Sequence, residues 1–225
     1  MITLRPDSRV YLLLTLLSYV GEFPLSSIHL LGSKEAWRKL IHQLSIQQTF
    51  RFPDMSERIS CKLLLINGRG RTKSIRLSKS AVSILEQFKP DAAHYYTDYF
   101  LKHNHSGDEK RVERLHRVAE AVAFFRQAGY ETCPYLLPPL QLFSIQNVVP
   151  DSPSFYISNE LKHIGDDDVN KISFSRITGA IFAQGGCYAV YNSRDYLMKW
   201  NGHGESKTRL MLTEIARMNA KTEEV

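Results

Sequence analysis

At 225 residues the chain can hold one large or two small domains, and a hydrophobic content of 43% is ample for buried cores, which excludes an intrinsically disordered protein. Its longest apolar run, Val10 to Val20, is interrupted by Thr15 and Ser18 and is too short to cross a bilayer, so no membrane partner is expected and the chain reads as cytoplasmic. The net charge of +6 is unevenly placed: residues 1–90 carry 14 Lys/Arg against 6 Asp/Glu, and residues 91–225 carry 15 against 17, so a polyanion is expected to meet only the N-terminal part.

In chain order, Val10, Leu13, Leu14 and Leu17 predict a helix over Ser8–Tyr19, with Leu12 and Leu16 widening its buried face and Gly21 ending it. Pro24 opens a short second helix through Ser26 to Leu31, closed by Gly32. Ser33 is expected to cap a third, Lys34 to about Leu44, whose apolar stripe is Trp37, Leu40, Ile41 and Leu44 and whose polar stripe is Glu35, Arg38, Lys39 and His42. Lys62–Ile66 and Thr72–Leu77 read as strands joined by the turn Asn67-Gly68-Arg69-Gly70-Arg71. Ser78 caps a further helix reaching Phe88.

Residues 91–108 read as an aromatic and polar connector. A long helix follows from Asp108 or Glu109 to about Ala128, stopped by Gly129, and Pro134, Pro138 and Pro139 then impose an irregular segment. The run Phe155–His163 suits either a strand or a helix. Ile177–Phe182, Cys187–Asn192 and Tyr196–Trp200 read as three short strands, and Glu205–Met218 as a closing amphipathic helix. The predicted fold class is therefore α+β: an N-terminal winged helix over 1–90, a connector over 91–108, and a smaller α/β domain over 109–225 with a sheet of three or more strands.

Three helices followed by a hairpin with an Arg-Gly-Arg tip is the order of a winged helix, in which the third helix enters the major groove and the wing lies over the adjacent backbone. Arg38, Lys39 and His42, with Gln43 at the margin, are the groove-facing candidates, unless Arg38 pairs with Glu35 or Glu22 instead. Arg69, Arg71, Lys73 and Arg76 are the phosphate-neutralising candidates, and Gly68 and Gly70 would let the turn approach the sugar-phosphate chain. The three cysteines, Cys61, Cys133 and Cys187, form no CxxC pair, so neither a disulfide framework nor a zinc site is expected. His103, Asn104 and His105 lack the apolar spacer of a metal-holding histidine pair, and Asp166, Asp167 and Asp168 read as a solvated loop; no metal and no cofactor are expected. On the long helix, Glu113 with Arg117 and His116 with Glu120 are spaced as i, i+4 pairs on an exposed face.

Several stretches together resemble the replication-relaxation family of mobile genetic elements in Gram-positive bacteria. They are the leucine-rich first helix, Gly70-Arg71-Thr72 to Arg76-Leu77-Ser78-Lys79, Arg114-Leu115-His116-Arg117-Val118-Ala119-Glu120, Phe155-Tyr156-Ile157-Ser158 before Glu160-Leu161-Lys162, Ser175-Arg176-Ile177-Thr178-Gly179, and Val190-Tyr191-Asn192 before Met198-Lys199-Trp200. The resemblance implies a winged helix joined to a nuclease-like domain and a role in plasmid or transposon replication and transfer. Nuclease chemistry would use Glu120, Glu160 and Lys162, two carboxylates for a cation and a lysine to orient water. Thr178 stands where the second-domain carboxylate is expected, which removes charge the cation needs. The function expected is thus non-catalytic binding of double-stranded DNA, in transcription regulation or in replication of a mobile element, by a homodimer that contacts protein partners through its C-terminal domain. The alternatives are a metal-dependent nuclease and a protein-interaction module that inhibits a nucleoprotein.

Overall fold

The computed structural model describes residues 2–51, 58–101, 109–133, 153–162, 174, 176–183, 186–195 and 198–219, which fold as a mixed α+β protein with small three-stranded sheets. The chain divides into two compact units, Met1–Glu120 and Ala121–Val225, so that residues 91–120 group with the first. His103 to His105, Pro134, Pro138, Pro139 and Asp166 to Asp168 lie outside the described residues.

The first unit opens with β1 (Ile2–Thr3) and α1 (Arg9–Val20). The Ser8 hydroxyl accepts a hydrogen bond from the Tyr11 N–H (3.2 Å) and starts α1. Gly21, at φ 76°, ends it, and a Cβ there would fall 2.3 Å from the Phe100 ring. Val10, Leu13, Leu14, Leu16 and Leu17 are buried together with Thr15, Ser18 and Tyr19, so α1 is covered on nearly every side. Leu12 is the exception to the expected face; it is 42% exposed. The buried hydroxyls donate within the helix, Thr15 to the Tyr11 carbonyl and Ser18 to the Thr15 carbonyl.

After α1 come β2 (Glu22–Pro24), a 3-10 helix (Leu25–Leu31), α2 (Lys34–Ser45), β3 (Gln48–Arg51), β4 (Arg58–Cys61), β5 (Leu64–Asn67), β6 (Ser74–Leu77) and α3 (Lys79–Phe88). Two three-stranded sheets result. In one, β1 runs parallel to β3 and β4 antiparallel to it, in the order β1-β3-β4. In the other, all antiparallel, the order is β2-β6-β5. β5 and β6 correspond to the two strands expected from sequence, and β1 to β4 do not appear among the expected strands. β6 was expected from Thr72, whereas Gly70–Thr72 form a 3-10 turn and the strand starts at Ser74.

Residues 90–101, in the segment expected as a connector, are helical: α4 (Pro90–Tyr96) runs into a π turn, Thr97–Leu101. Ala92, Ala93 and Tyr96 are buried, and the Tyr95 ring lies 5.8 Å from Tyr19 of α1. The buried Ala92, Ala93 and Tyr96 have apolar spacing of i, i+1, i+4, obscured in the sequence by the intervening His94 and Tyr95. The long helix α5 (Glu109–Gln127) follows as expected, with Gly129 at φ 85° beyond its end.

In the second unit β7 (Ser154–Ile157), β8 (Gly179–Ala183) and β9 (Gly186–Val190) form one antiparallel sheet, order β7-β8-β9. The ambiguous run from Phe155 resolves into both elements, β7 and then a single turn, α6 (Ser158–Leu161). Met198 to Trp200, expected to be strand, are irregular. The last helix, α7 (Gly202–Asn219), packs Leu212 and Ile215 on Tyr156, Leu161, Phe174, Ile177, Ala180 and Phe182. Gly179 is required by packing, because a Cβ there would fall 2.3 Å from the Tyr156 carbonyl oxygen. Among the described residues no helix is long and apolar enough to cross a membrane.

Candidate nucleic-acid interface

The α2 helix is two-faced. Trp37, Ile41 and Leu44 are buried, and the Trp37 indole N–H donates to the Leu31 carbonyl (2.6 Å), which fixes the helix against the preceding 3-10 turn. Arg38, Lys39, His42 and Gln43 are all exposed on the other side. Ser33, expected to cap α2, makes no side-chain cap bond; the first turn is closed instead by the Ser33 carbonyl, which accepts from the Trp37 N–H (3.1 Å). An exposed hydroxyl gains little by leaving water.

The β5–β6 turn is held by Thr72, whose hydroxyl donates to the Arg69 carbonyl (2.9 Å) and accepts from the Arg69 N–H (3.3 Å). Gly68, at φ 70°, lies where a Cβ would come 2.4 Å from the Thr72 carbonyl oxygen, so no side chain fits this turn. Gly70, at φ 55°, has open space in front of it. The Leu25 N–H bonds the Lys73 carbonyl (2.8 Å), anchoring the turn's return beside the 3-10 helix. Arg69, Arg71 and Lys73 are thereby exposed around a fixed backbone. Thr72 is a positioning residue that the sequence reading passed over; its spacing of three from Arg69 is the only local signal.

Arg76 is placed differently. It pairs across the strands with Glu22, is only half-exposed, and its Nε is buried with no hydrogen bond among the described residues. Glu22, weighed from sequence as a partner of Arg38, instead accepts from Ser74 Oγ and lies 3.4 Å from His116 Nε2 of α5. Burial works against its charge, yet the bonds from His116 and Ser74 and the charges of His116 and Arg76 hold its carboxyl below the ordinary value. Burial pushes the neighbouring Tyr96 hydroxyl up to about 12, with Arg76 opposing and Glu22 adding to the rise. His116 is 3% exposed, so the expected solvent-facing His116–Glu120 pair does not form the outer face of α5. Glu120 instead accepts from the Ser27 hydroxyl.

Glu160 spends one carboxylate oxygen on the Ile157 N–H (3.0 Å), at the start of α6, and Lys162 follows that turn. Glu120 closes the first compact unit, and Glu160 and Lys162 belong to the second. Among the described residues no group of three His, Cys, Asp or Glu side chains could hold a metal ion. None of the three cysteines forms a disulfide, and burial raises the thiol pKa of Cys61 and pushes Cys187 up to about 12, so both are protonated at neutral pH. In the second unit Glu205, 8% exposed, takes an ion pair from Arg176 Nε (3.0 Å) and a hydrogen bond from the Tyr191 hydroxyl. The Arg176 guanidinium also reaches the Lys199 carbonyl (2.5 Å), which ties the irregular segment before α7 to that helix. Comparison with known protein families, characterised proteins and solved structures finds no match to this chain.

Proposed function

We propose that this protein binds duplex DNA through its first unit, as a winged helix in which α2 enters the major groove and the β5–β6 turn follows the adjacent backbone. One observation carries the reading. The elements run α1, β2, 3-10 helix, α2, β5, β6; the three strands are ordered β2-β6-β5; and α2 leaves a polar face of Arg38, Lys39, His42 and Gln43 outside. This element order and strand order support the winged-helix reading, with the β3–β4 hairpin as an insertion after α2. Arg38, Lys39, His42 and Gln43 meet base edges; Arg69, Arg71 and Lys73 meet phosphates. Arg76, set against Glu22, supports the sheet instead.

The target, on the resemblance to the replication-relaxation family, lies on a mobile genetic element, where binding serves replication or transcription without cleavage. Two copies of so small a recognition face would read two half-sites, and we assign self-association or other protein contact to the second unit. Its Trp200 and Tyr188 are 80% and 59% exposed, an unusual setting for residue types enriched at interfaces.

Selection from a random duplex pool, followed by binding across a salt series, tests the reading. Steep salt dependence is expected, with Arg69→Ala and Arg71→Ala each lowering the slope of log affinity against log salt by about 0.9. Arg38→Ala is expected to cost about 1–3 kcal/mol at the selected site and to relax preference at one base position. Failure to enrich any duplex would sink the proposal. Sedimentation of the wild type beside Trp200→Ala tests the dimer, which the substitution is expected to weaken.

A further inference from the structure

Three arginines, Arg51 and Arg58 of consecutive strands and Arg5 from the start of the chain, come to one end of the β1-β3-β4 sheet. Arg51 of β3 is directly opposite Arg58 of β4, and Thr3 of β1 flanks Arg51 on its other side. The Leu4 N–H bonds the Arg51 carbonyl (2.9 Å), so the chain carries Arg5 past the same end. Strand alternation puts Arg51 and Arg58 on one face with Thr3, Thr49 and Ser60, and Ile2, Phe50 and Ile59 on the other, where Phe50 is fully buried. The outer face is therefore two guanidinium groups among three hydroxyls, and Arg5, Arg51 and Arg58 are all exposed.

Directly opposed residues in an antiparallel pair have Cβ atoms about 4.5–5.5 Å apart, and like charges there destabilise the strand pair. A phosphate between the two guanidinium groups turns that repulsion into charge-assisted bonds to both, while neighbouring hydroxyls can donate to the remaining oxygens. We propose that this face is a second phosphate-contacting surface, used for the backbone of bound nucleic acid. Its ligand rests on the DNA-binding reading above; the anion site itself rests on the register of β3 and β4.

The test uses the full chain carrying Arg51→Gln and Arg58→Gln together, exposed substitutions that leave the apolar face of the sheet intact. In duplex binding across a salt series the double variant is expected to show a slope shallower by about 1.8, for two lost phosphate contacts, with the selected sequence unchanged. In thermal melts at low ionic strength, inorganic tripolyphosphate is expected to raise the wild-type Tm more than that of the double variant, whose Tm without anion is no lower than wild type. If the wild type binds duplex and the double variant shows the same slope, the inference is overturned. Should the wild type bind no duplex, the DNA-binding reading falls, and the melts decide the anion site alone: an equal rise in both proteins overturns it.

Discussion

Glu22 shows how far a residue's chemistry can lie from its sequence neighbours. The i, i+4 spacing of His116 and Glu120 suggested a local pair on a solvated helix, but His116 turns inward to a carboxylate 94 positions earlier, and Glu120 takes a hydroxyl 93 positions away. Local spacing gives a few tenths of a kcal/mol; hydrogen bonds to a buried charge give more, and the larger effect wins. Because the Glu22 carboxyl is held below its ordinary value of 4.5, its contribution to stability is complete above about pH 4.5 and is lost as the pH falls through the lower folded-state value. Urea denaturation as a function of pH should therefore show Glu22→Gln destabilised by about 1–3 kcal/mol at neutral pH, with the difference from wild type shrinking in acid. A difference that stays constant down to pH 3 would mean that the carboxylate charge contributes nothing.

Among the elements, legibility followed length and burial. The helices α1, α2, α3 and α5 were readable because each repeats its apolar residues over ten or more positions, and both glycine stops fall where φ is positive. The strands β1 and β2 have two and three residues, too few for alternation to stand out, and β3 with β4, no shorter than β5 and β6, carries Thr, Ser and Arg on its outer positions. The two serine caps separate composition from geometry. Ser78 is buried, accepts from the Ala81 N–H (3.1 Å) and donates to the Lys62 carbonyl (2.5 Å), joining α3 to the entry of β5; Ser33 has the same chemistry but no side-chain cap bond. Ser78→Ala is thus expected to cost about 1–2 kcal/mol and Ser33→Ala no more than a few tenths, read from denaturant midpoints at a common slope. Equal costs would mean that residue type alone governs capping here.

At the scale of the molecule, the question is what length of chain carries the proposed DNA-binding surface. Composition drew a boundary near residue 90, where the excess of basic residues ends. The packing draws it later. Beyond residue 90, Tyr95 lies against Tyr19, Phe100 fills the space in front of Gly21, His116 reaches Glu22 and Glu120 receives the Ser27 hydroxyl. Glu22 and Ser27 lie in β2 and the 3-10 helix, the two elements between α1 and α2, so these contacts hold the strand and turn on which α2 is seated. A segment ending at 90 keeps the basic residues and loses their support, leaving the Glu22 carboxylate without His116. We expect a fragment of residues 1–127 to fold and to bind selected duplex more weakly than the full chain, since it retains the proposed DNA contacts but lacks most of the second unit, to which self-association is assigned. The fragment 1–90 is expected to lose several kcal/mol, each worth about 4–8 °C in a domain of this size, and to bind only in proportion to its folded fraction. Paired melting curves and titrations of the two fragments check this. If the shorter one melts with the longer, α4 and the first half of α5 contribute no support, and charge alone locates the functional boundary.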